Sequence, residues 1–421
     1  MDHRIIFMDN LRYALVLCVV LQHAGNAYIP LNWWPVSESE SSLAADWLTA
    51  FLDAFTMPFL FYIAGYFALP TVRGKGPAYF VKGKFKRLGI PWLVCILTVC
   101  PALPLVYHYT RNGLKLTENY WEVWLQVMKN GLSFDVRIIP SMNELMMRNQ
   151  FYQRYMWFLS LLILFFLIFC LLYWWKRAWF DQDARAMAPV SPSIAKSLKI
   201  LAAVGLLTTF LSFVAVGVMF FLIPGLSNPE PLFTLGNVIQ FRPSRLFFFI
   251  IYFGLGVLSF RNRWIERGLF PGHGMTWMIA FAVFLILFFY SRDLMLNGPE
   301  HLKHILGGPL YFLFLNFLCI ATLGTALSLA RKHWNRPTSF DASFASHSYD
   351  IYLSHYPFVI AFQLILFSFP TIHVGTKFGA VALFSGVCAY FTSRFFIKPF
   401  PKATVITAIA LTVMMVALIR V

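Results

Sequence analysis

Apolar residues fall in long runs along the chain, separated by shorter polar or charged stretches. Eleven runs predict membrane-spanning helices. They lie at roughly Leu11–Ile29, Trp47–Leu69, Leu88–Tyr109, Tyr155–Trp175, Ser197–Ile223, Ser244–Phe260, Met275–Tyr290, Pro309–Leu329, Ser348–Phe369, Lys377–Ser393 and Ala403–Ile419. The sixth and seventh are short. No soluble domain interrupts the series, and no internal repeat is visible. The pattern predicts an all-α, polytopic membrane protein of about ten to eleven transmembrane helices.

Composition agrees. Of 421 residues, 59% are hydrophobic and 12% charged, whereas a soluble domain carries about twice that charge. The net charge of +16 would suggest nucleic acid in a soluble protein. Here no basic, non-hydrophobic domain exists to bind it, so a nucleic-acid partner is excluded. Orientation explains the charge better. With the N-terminus cytoplasmic, about 21 Lys and Arg fall on the inner side and about 11 on the outer. The inner loops include "RGKGPAYFVKGKFKR", "KRAWFDQDAR", "RNRWIERG" and "RKHWNR"; the outer ones include "SESESS", "LSNPEP" and "SRDLMLNGPEH". A cleaved signal peptide is the other reading of the N-terminus, but the first run lacks a clean small-x-small site and keeps Arg12 and His23. The cysteines (18, 95, 100, 170, 319 and 388) all sit in apolar segments with no CxxC pair, which argues for packing rather than disulfides or zinc.

Ionisable residues inside apolar runs are the candidates for chemistry. Arg12 and His23 are eleven residues apart. That is about 1,100° of helix, or three turns plus about 20°, so both lie on one stripe with a rise of about 16 Å. Arg12 is placed at the cytoplasmic mouth, where it can snorkel or meet an anion. His23 is placed beyond the midplane, where it faces a polar cavity or hydrogen-bonds between helices. Asp53 is expected at a similar depth, either orienting an imidazole or serving in packing. Asp350 and His355 are five apart and do not share a helical face well.

Lys82, Lys84, Lys86 and Arg87 cluster before the third run. They suit orientation and lipid-phosphate contact, or a phosphate-rich ligand held by Lys84 and Arg87, which are adjacent on a helix. No P-loop or GxGxxG is present. The spacing of His301 and His304 in "HLKH" resembles half a metal site, but no Cys or Glu accompanies it, so no metal is indicated. The longest connection, Thr110 to Arg154, holds "NYWEVWLQVMKN". Tyr120, Trp121, Trp124, Leu125 and Met128 predict one helical face, which lies in the membrane interface or covers an outward site with Trp121 or Trp124 stacked on a sugar.

Five stretches, in order, resemble the membrane acyltransferase-3 family, integral-membrane O-acyltransferases that modify sugars. "FMDNLRYALVLCVVLQHAGNAY" carries an aspartate, an arginine and a histidine at the family's spacing: Asp9, Arg12 and His23. "FTMPFLFYIAGYF" is similar to the family's second span, with Ala64 where serine is common. "FVKGKFKRLGIPW" is similar to its basic R-x-x-R cluster, here Lys84 and Arg87. "YMWFLSLL" resembles HLWFL, with Trp157 kept and Tyr155 in place of histidine. "SHSYDIYLSHYPFV" is similar to SYGIYLLHxP, with His355 kept and Asp350 replacing a small residue. Ile397 stands where many members have glutamate. These departures place the chain nearer the glucan-modifying members.

The resemblance implies a single transmembrane acyltransferase domain over residues 1–421, with a core of about ten helices (1–400) and an extra C-terminal helix (403–419). It implies no bound cofactor, acyl-CoA as cytoplasmic co-substrate (acetyl-CoA first, with acetyl or succinyl transferred), a carbohydrate or glycolipid acceptor, and a multi-pass site in the bacterial inner membrane with lipid around it. Residue by residue, His23 becomes the general base, or itself the acyl carrier, with Asp53 as its orienting partner. Arg12, Lys84 and Arg87 meet the donor phosphates, and Asp9, Trp157, His355, Trp121 and Trp124 line the cavity or the acceptor path. Two rivals remain at this stage: a carrier of an anionic or proton-coupled solute, against which the missing repeat symmetry speaks, and a structural subunit.

Overall fold

In a computed structural model the chain is described over residues 5–182, 191–223, 225–226 and 230–419. Among these, eleven helices are long and apolar enough to cross a membrane: Ile6–Tyr28, Leu43–Lys75, Pro77–Arg111, Arg154–Trp175, Ile194–Leu222, Pro243–Arg261, Gly274–Asn297, Glu300–His333, Ser339–Phe367, Val374–Ile397 and Pro401–Leu418. They are called the first to eleventh spans, and each overlaps one predicted run. The side chain of His304 lies outside the described residues, as do parts of the loops "KRAWFDQDAR" and "LSNPEP".

The third span starts at Pro77, well before the predicted Leu88. Gly76, at φ +81°, ends the second span, and Pro77 occupies the first turn of the next helix. A proline there loses no helical hydrogen bond. The basic cluster therefore lies within helix, and a π-helical turn over Phe85–Gly89 carries Lys86 and Arg87. Hydropathy reads which residues meet lipid, not where helical backbone begins.

The fold is all-α as expected, with one small sheet outside the spans. Strands β1 (Val136–Ile139), β2 (Leu232–Leu235) and β3 (Ile239–Phe241) pair antiparallel in that order, with Arg137 opposite Thr234 and Leu235 opposite Ile239. The turn between β2 and β3 uses Gly236 and Asn237 at φ +55° and +56°, residue types that tolerate left-handed backbone. Strands of three or four residues are too short to show alternation in a sequence.

The first span packs against the second, the ninth and the tenth, and the second packs closely on the sixth. Glycines set that last approach. A Cβ on Gly65 would lie 2.1 Å from the Phe253 carbonyl oxygen, and one on Gly256 would lie 2.1 Å from that of Tyr62. Small residues let backbones touch in this way within lipid. Gly256→Val is expected to destabilise the fold by about 3 kcal/mol or more, since backbone cannot yield as a side chain does. Thermal unfolding in detergent checks it, and an unchanged midpoint refutes the glycine contact.

The eleventh span buries none of its residues. The Tyr120–Gly131 helix docks through Tyr120, Val123 and Val127, with the Tyr120 N–H donating to the Ile419 carbonyl. That stripe differs from the predicted aromatic face. Trp121 points outward, 46% exposed, and stacks on Trp124 with centroids 5.5 Å apart.

Candidate active site

His23 lies in the last turn of the first α-helix, which ends at Gly25. Its Nδ1 is 2.9 Å from Nε2 of His355, a fully buried residue of the ninth span. The other nitrogen of His355, Nδ1, lies 2.7 Å from the Tyr352 carbonyl and 3.1 Å from that of Ile351. Carbonyl oxygens only accept, so His355 Nδ1 carries a proton, and in the neutral ring Nε2 must accept. His23 Nδ1 therefore donates to it. The remaining nitrogen, His23 Nε2, is left with its lone pair free for a proton. Two backbone carbonyls thus fix the tautomer of a base one ring away.

Aromatic groups hold this pair in place. Trp34 and Tyr356 lie 5.7 and 5.2 Å from the His23 ring, and Tyr155 lies 5.5 Å from His355 and stacks on Tyr356 at 4.5 Å. Gln363 of the ninth span, buried in an apolar helix, donates to the carbonyls of His23 and Ala24 and accepts from Trp34 Nε1. It adds a second donor to the His23 carbonyl, which already accepts from the Asn26 N–H at the helix end, and it ties the loop after the first span to the histidine. A Lys377–Glu38 ion pair at 2.7 Å anchors the same loop.

His23 borders a cavity of about 370 Å³ at the end of the bundle where the first span finishes, and His355, expected to line it, stands behind His23 instead. Asp53 lines this cavity but does not orient the imidazole as the sequence suggested. One carboxylate oxygen accepts from Gln22 Nε2 at 3.1 Å, and the other lies 3.3 Å from Arg245. His355 takes the expected place because it stands directly across from His23 on the ninth span, while Asp53 is captured by a stronger, charged partner. Arg245 also meets Glu230 at 2.8 Å, Arg242 meets Glu230 at 3.0 Å, and Arg292 grips Asp46 with two bonds of 2.7 and 2.8 Å. Burial alone would raise the Glu230 carboxyl, but Arg245 and Arg242 outweigh it and hold it at about 2. Trp157 lines the cavity and packs on Phe249.

At the other end of the first span, Arg12 pairs with Asp9 at 3.0 Å and donates to the Ala345 carbonyl of the ninth span at 3.2 Å. Arg12 and His23 therefore face the same neighbour, as one helical stripe requires. Arg12 and Arg87 both lie near enough to Lys84 for their charges to act on it. Arg87 sits over the Tyr349 ring at 5.2 Å, and Lys84 sits over Phe166 at 4.5 Å. The three basic residues picked from sequence thus form one cluster. Trp121 and Trp124 do not border the cavity; Trp124 Nε1 donates to the Leu97 carbonyl instead.

Tyr356, Trp34, Gln363, Arg154, Arg245 and Glu230 were not singled out from sequence. Gln363 and Arg245 carried a usable signal, since each is a polar residue inside an apolar run. Trp34 and Tyr356 carried none.

Glucans biosynthesis protein C of Salmonella typhi is 23% identical to the chain over 363 residues, covering 85% of the chain and 82% of the relative. The protein of the same name from Salmonella typhimurium (strain LT2) matches equally. No solved structure matches the chain. The acyltransferase-domain family known as acyltransferase 3 matches residues 5–419, so the chain belongs to that family and is a multi-pass membrane acyltransferase.

Proposed function

We propose that the protein transfers an acyl group, acetyl or succinyl, from acyl-CoA to a hydroxyl of a carbohydrate at the bacterial inner membrane. The observation that carries this reading is the His23–His355 pair at the cavity edge, with its tautomer fixed and Nε2 free. The N-terminus faces the cytoplasm, and acyl-CoA docks at the cluster of Arg12, Lys84 and Arg87, whose charges suit its phosphates. The acceptor enters the cavity from the opposite side. A glucan fits the names of the relatives, and planar polar groups beside aromatic rings fit a sugar. His23 Nε2 removes the hydroxyl proton, the oxygen attacks the thioester carbon, and the thiolate leaves with that proton. His355 is a positioning residue in this scheme.

The test uses purified protein in detergent, labelled acetyl-CoA or succinyl-CoA, and a panel of oligosaccharides that includes glucose oligomers. Labelled sugar and free CoA in equal amounts are expected. Solute uptake into vesicles without CoA release would overturn the reading in favour of a carrier. Arg87→Ala is expected to raise the donor KM about tenfold, the loss of one charge-assisted contact, and to leave kcat at saturating donor nearly unchanged. An unaltered donor KM removes Arg87 from the donor site.

A further inference from the structure

The charges around the cavity do not balance. Three acidic residues line it, Asp46, Asp53 and Glu230, and each is engaged by Arg292, Arg245 or Arg242. A fourth arginine, Arg154, lines the same cavity. It is only 3% exposed, and no ion pair to it is recorded among the described residues. Its Nε and Nη1 have no hydrogen-bond partner, and Nη2 meets only the Met146 thioether. The guanidinium carbon lies 5.1 Å from the Tyr152 ring, but a ring face does not neutralise it, and a buried cation without a counter-charge costs several kcal/mol.

The position is built with care for rigidity. Arg154 holds φ +55°, left-handed backbone at a residue that is not glycine, a conformation that costs about 1 kcal/mol or more. The preceding Gln153, fully buried, clamps the turn. Its side chain donates to the carbonyls of Asn237 and Val238 and accepts from Trp92 and Ser160, and its own N–H donates to Gln240. The following Tyr155 stacks on Tyr356, which itself contacts His23. The charge is therefore fixed within the wall that carries the base.

We propose that Arg154 is the oxyanion-stabilising residue of the acyl transfer. The inference rests on the acyltransfer chemistry proposed above. His23 Nε2 takes the acceptor hydroxyl proton, and a new C–O bond forms at the thioester carbon. The carbonyl π pair moves onto oxygen, and that oxyanion is met by the guanidinium. Collapse restores the carbonyl, breaks the C–S bond and sends the electron pair to sulfur, which receives the proton from His23. A preset positive charge that is itself shielded from water, as Arg154 is, stabilises such an oxygen without reorganising.

The experiment compares wild type, Arg154→Gln and Arg154→Lys as full-length proteins in detergent, with acetyl-CoA and succinyl-CoA as donors and glucose oligosaccharides as acceptors. Arg154→Gln is expected to lower kcat about 100- to 1,000-fold with both donors, at unchanged KM for donor and acceptor. Arg154→Lys is expected to recover part of that loss. Melting curves establish that the variants are folded. Where Arg154→Gln does not fold, the lysine variant decides: at least a tenfold fall in kcat is expected, and wild-type turnover overturns the proposal. A loss confined to succinyl-CoA overturns it too, because the cation then reads the charge of the acyl chain. A raised donor KM with kcat retained makes Arg154 a binding group only and is equally fatal. Wild-type protein that moves neither acyl group defeats the function reading itself, an outcome distinct from an active enzyme indifferent to Arg154.

Discussion

Replacing His23 with alanine is expected to lower acyl transfer about 1,000- to 10,000-fold, the upper part of the range for losing a general base, while the protein still folds and binds donor. The loss should fall on kcat, because in the proposed scheme the imidazole acts on the acceptor proton while the donor phosphates meet a cluster about 16 Å further along the same helix. His355 separates a positioning role from a packing role. His355→Gln retains an acceptor for the His23 Nδ1–H, whereas His355→Leu has none, so the glutamine variant should keep much more activity. Equal activity in the two would mean that the tautomer of His23 is not set by this bond. A folded His23→Ala protein with normal turnover would remove the base from the mechanism.

Arg245→Met carries the largest expected effect on stability. Arg245 is the shared partner of Glu230 and Asp53. Removing it leaves Glu230 with Arg242 alone and takes from Asp53 the arginine it pairs with; breaking a buried ion network in this way costs about 3–5 kcal/mol. Arg245→Met combined with Glu230→Gln should recover part of this, because the carboxylate that keeps only one of its two arginines is then neutral. The same network predicts a pH dependence. Glu230 is held at about 2, below its ordinary value of 4.5. A carboxylate depressed by folding stabilises fully above its unfolded value and loses that contribution as pH falls toward the folded one. The wild-type melting midpoint should therefore drop between about pH 4.5 and 2, and Arg245→Met should show a flatter profile. Parallel profiles for the two proteins would show that the guanidinium does not hold this carboxylate.

Some of the fold and site could be read along the chain because the physics is local. Hydropathy marked the positions of all eleven spans, since each run must satisfy its backbone internally and meet lipid with apolar side chains. Helical spacing placed Arg12 and His23 on one stripe, and both do face the ninth span. The motifs that resemble the acyltransferase-3 family brought His355 into view, although as a cavity residue rather than as the partner of His23.

Pairing between spans was out of reach, because which helix faces which is set by packing over separations of hundreds of residues. Asp53 illustrates this. Its depth was compatible with His23, but a guanidinium on the sixth span took its carboxylate. The basic cluster assembled because Arg12 and Arg87 both reach the ninth span, at Ala345 and Tyr349, a shared neighbour that neither sequence segment states. Sequence alone thus determined how many apolar helices this protein forms and which ionisable residues they carry, since solvation in lipid is a property of each segment. Only the tertiary structure decided the partner, tautomer and free edge of the base, because a hydrogen bond between spans depends on register and rotation that no single helix contains.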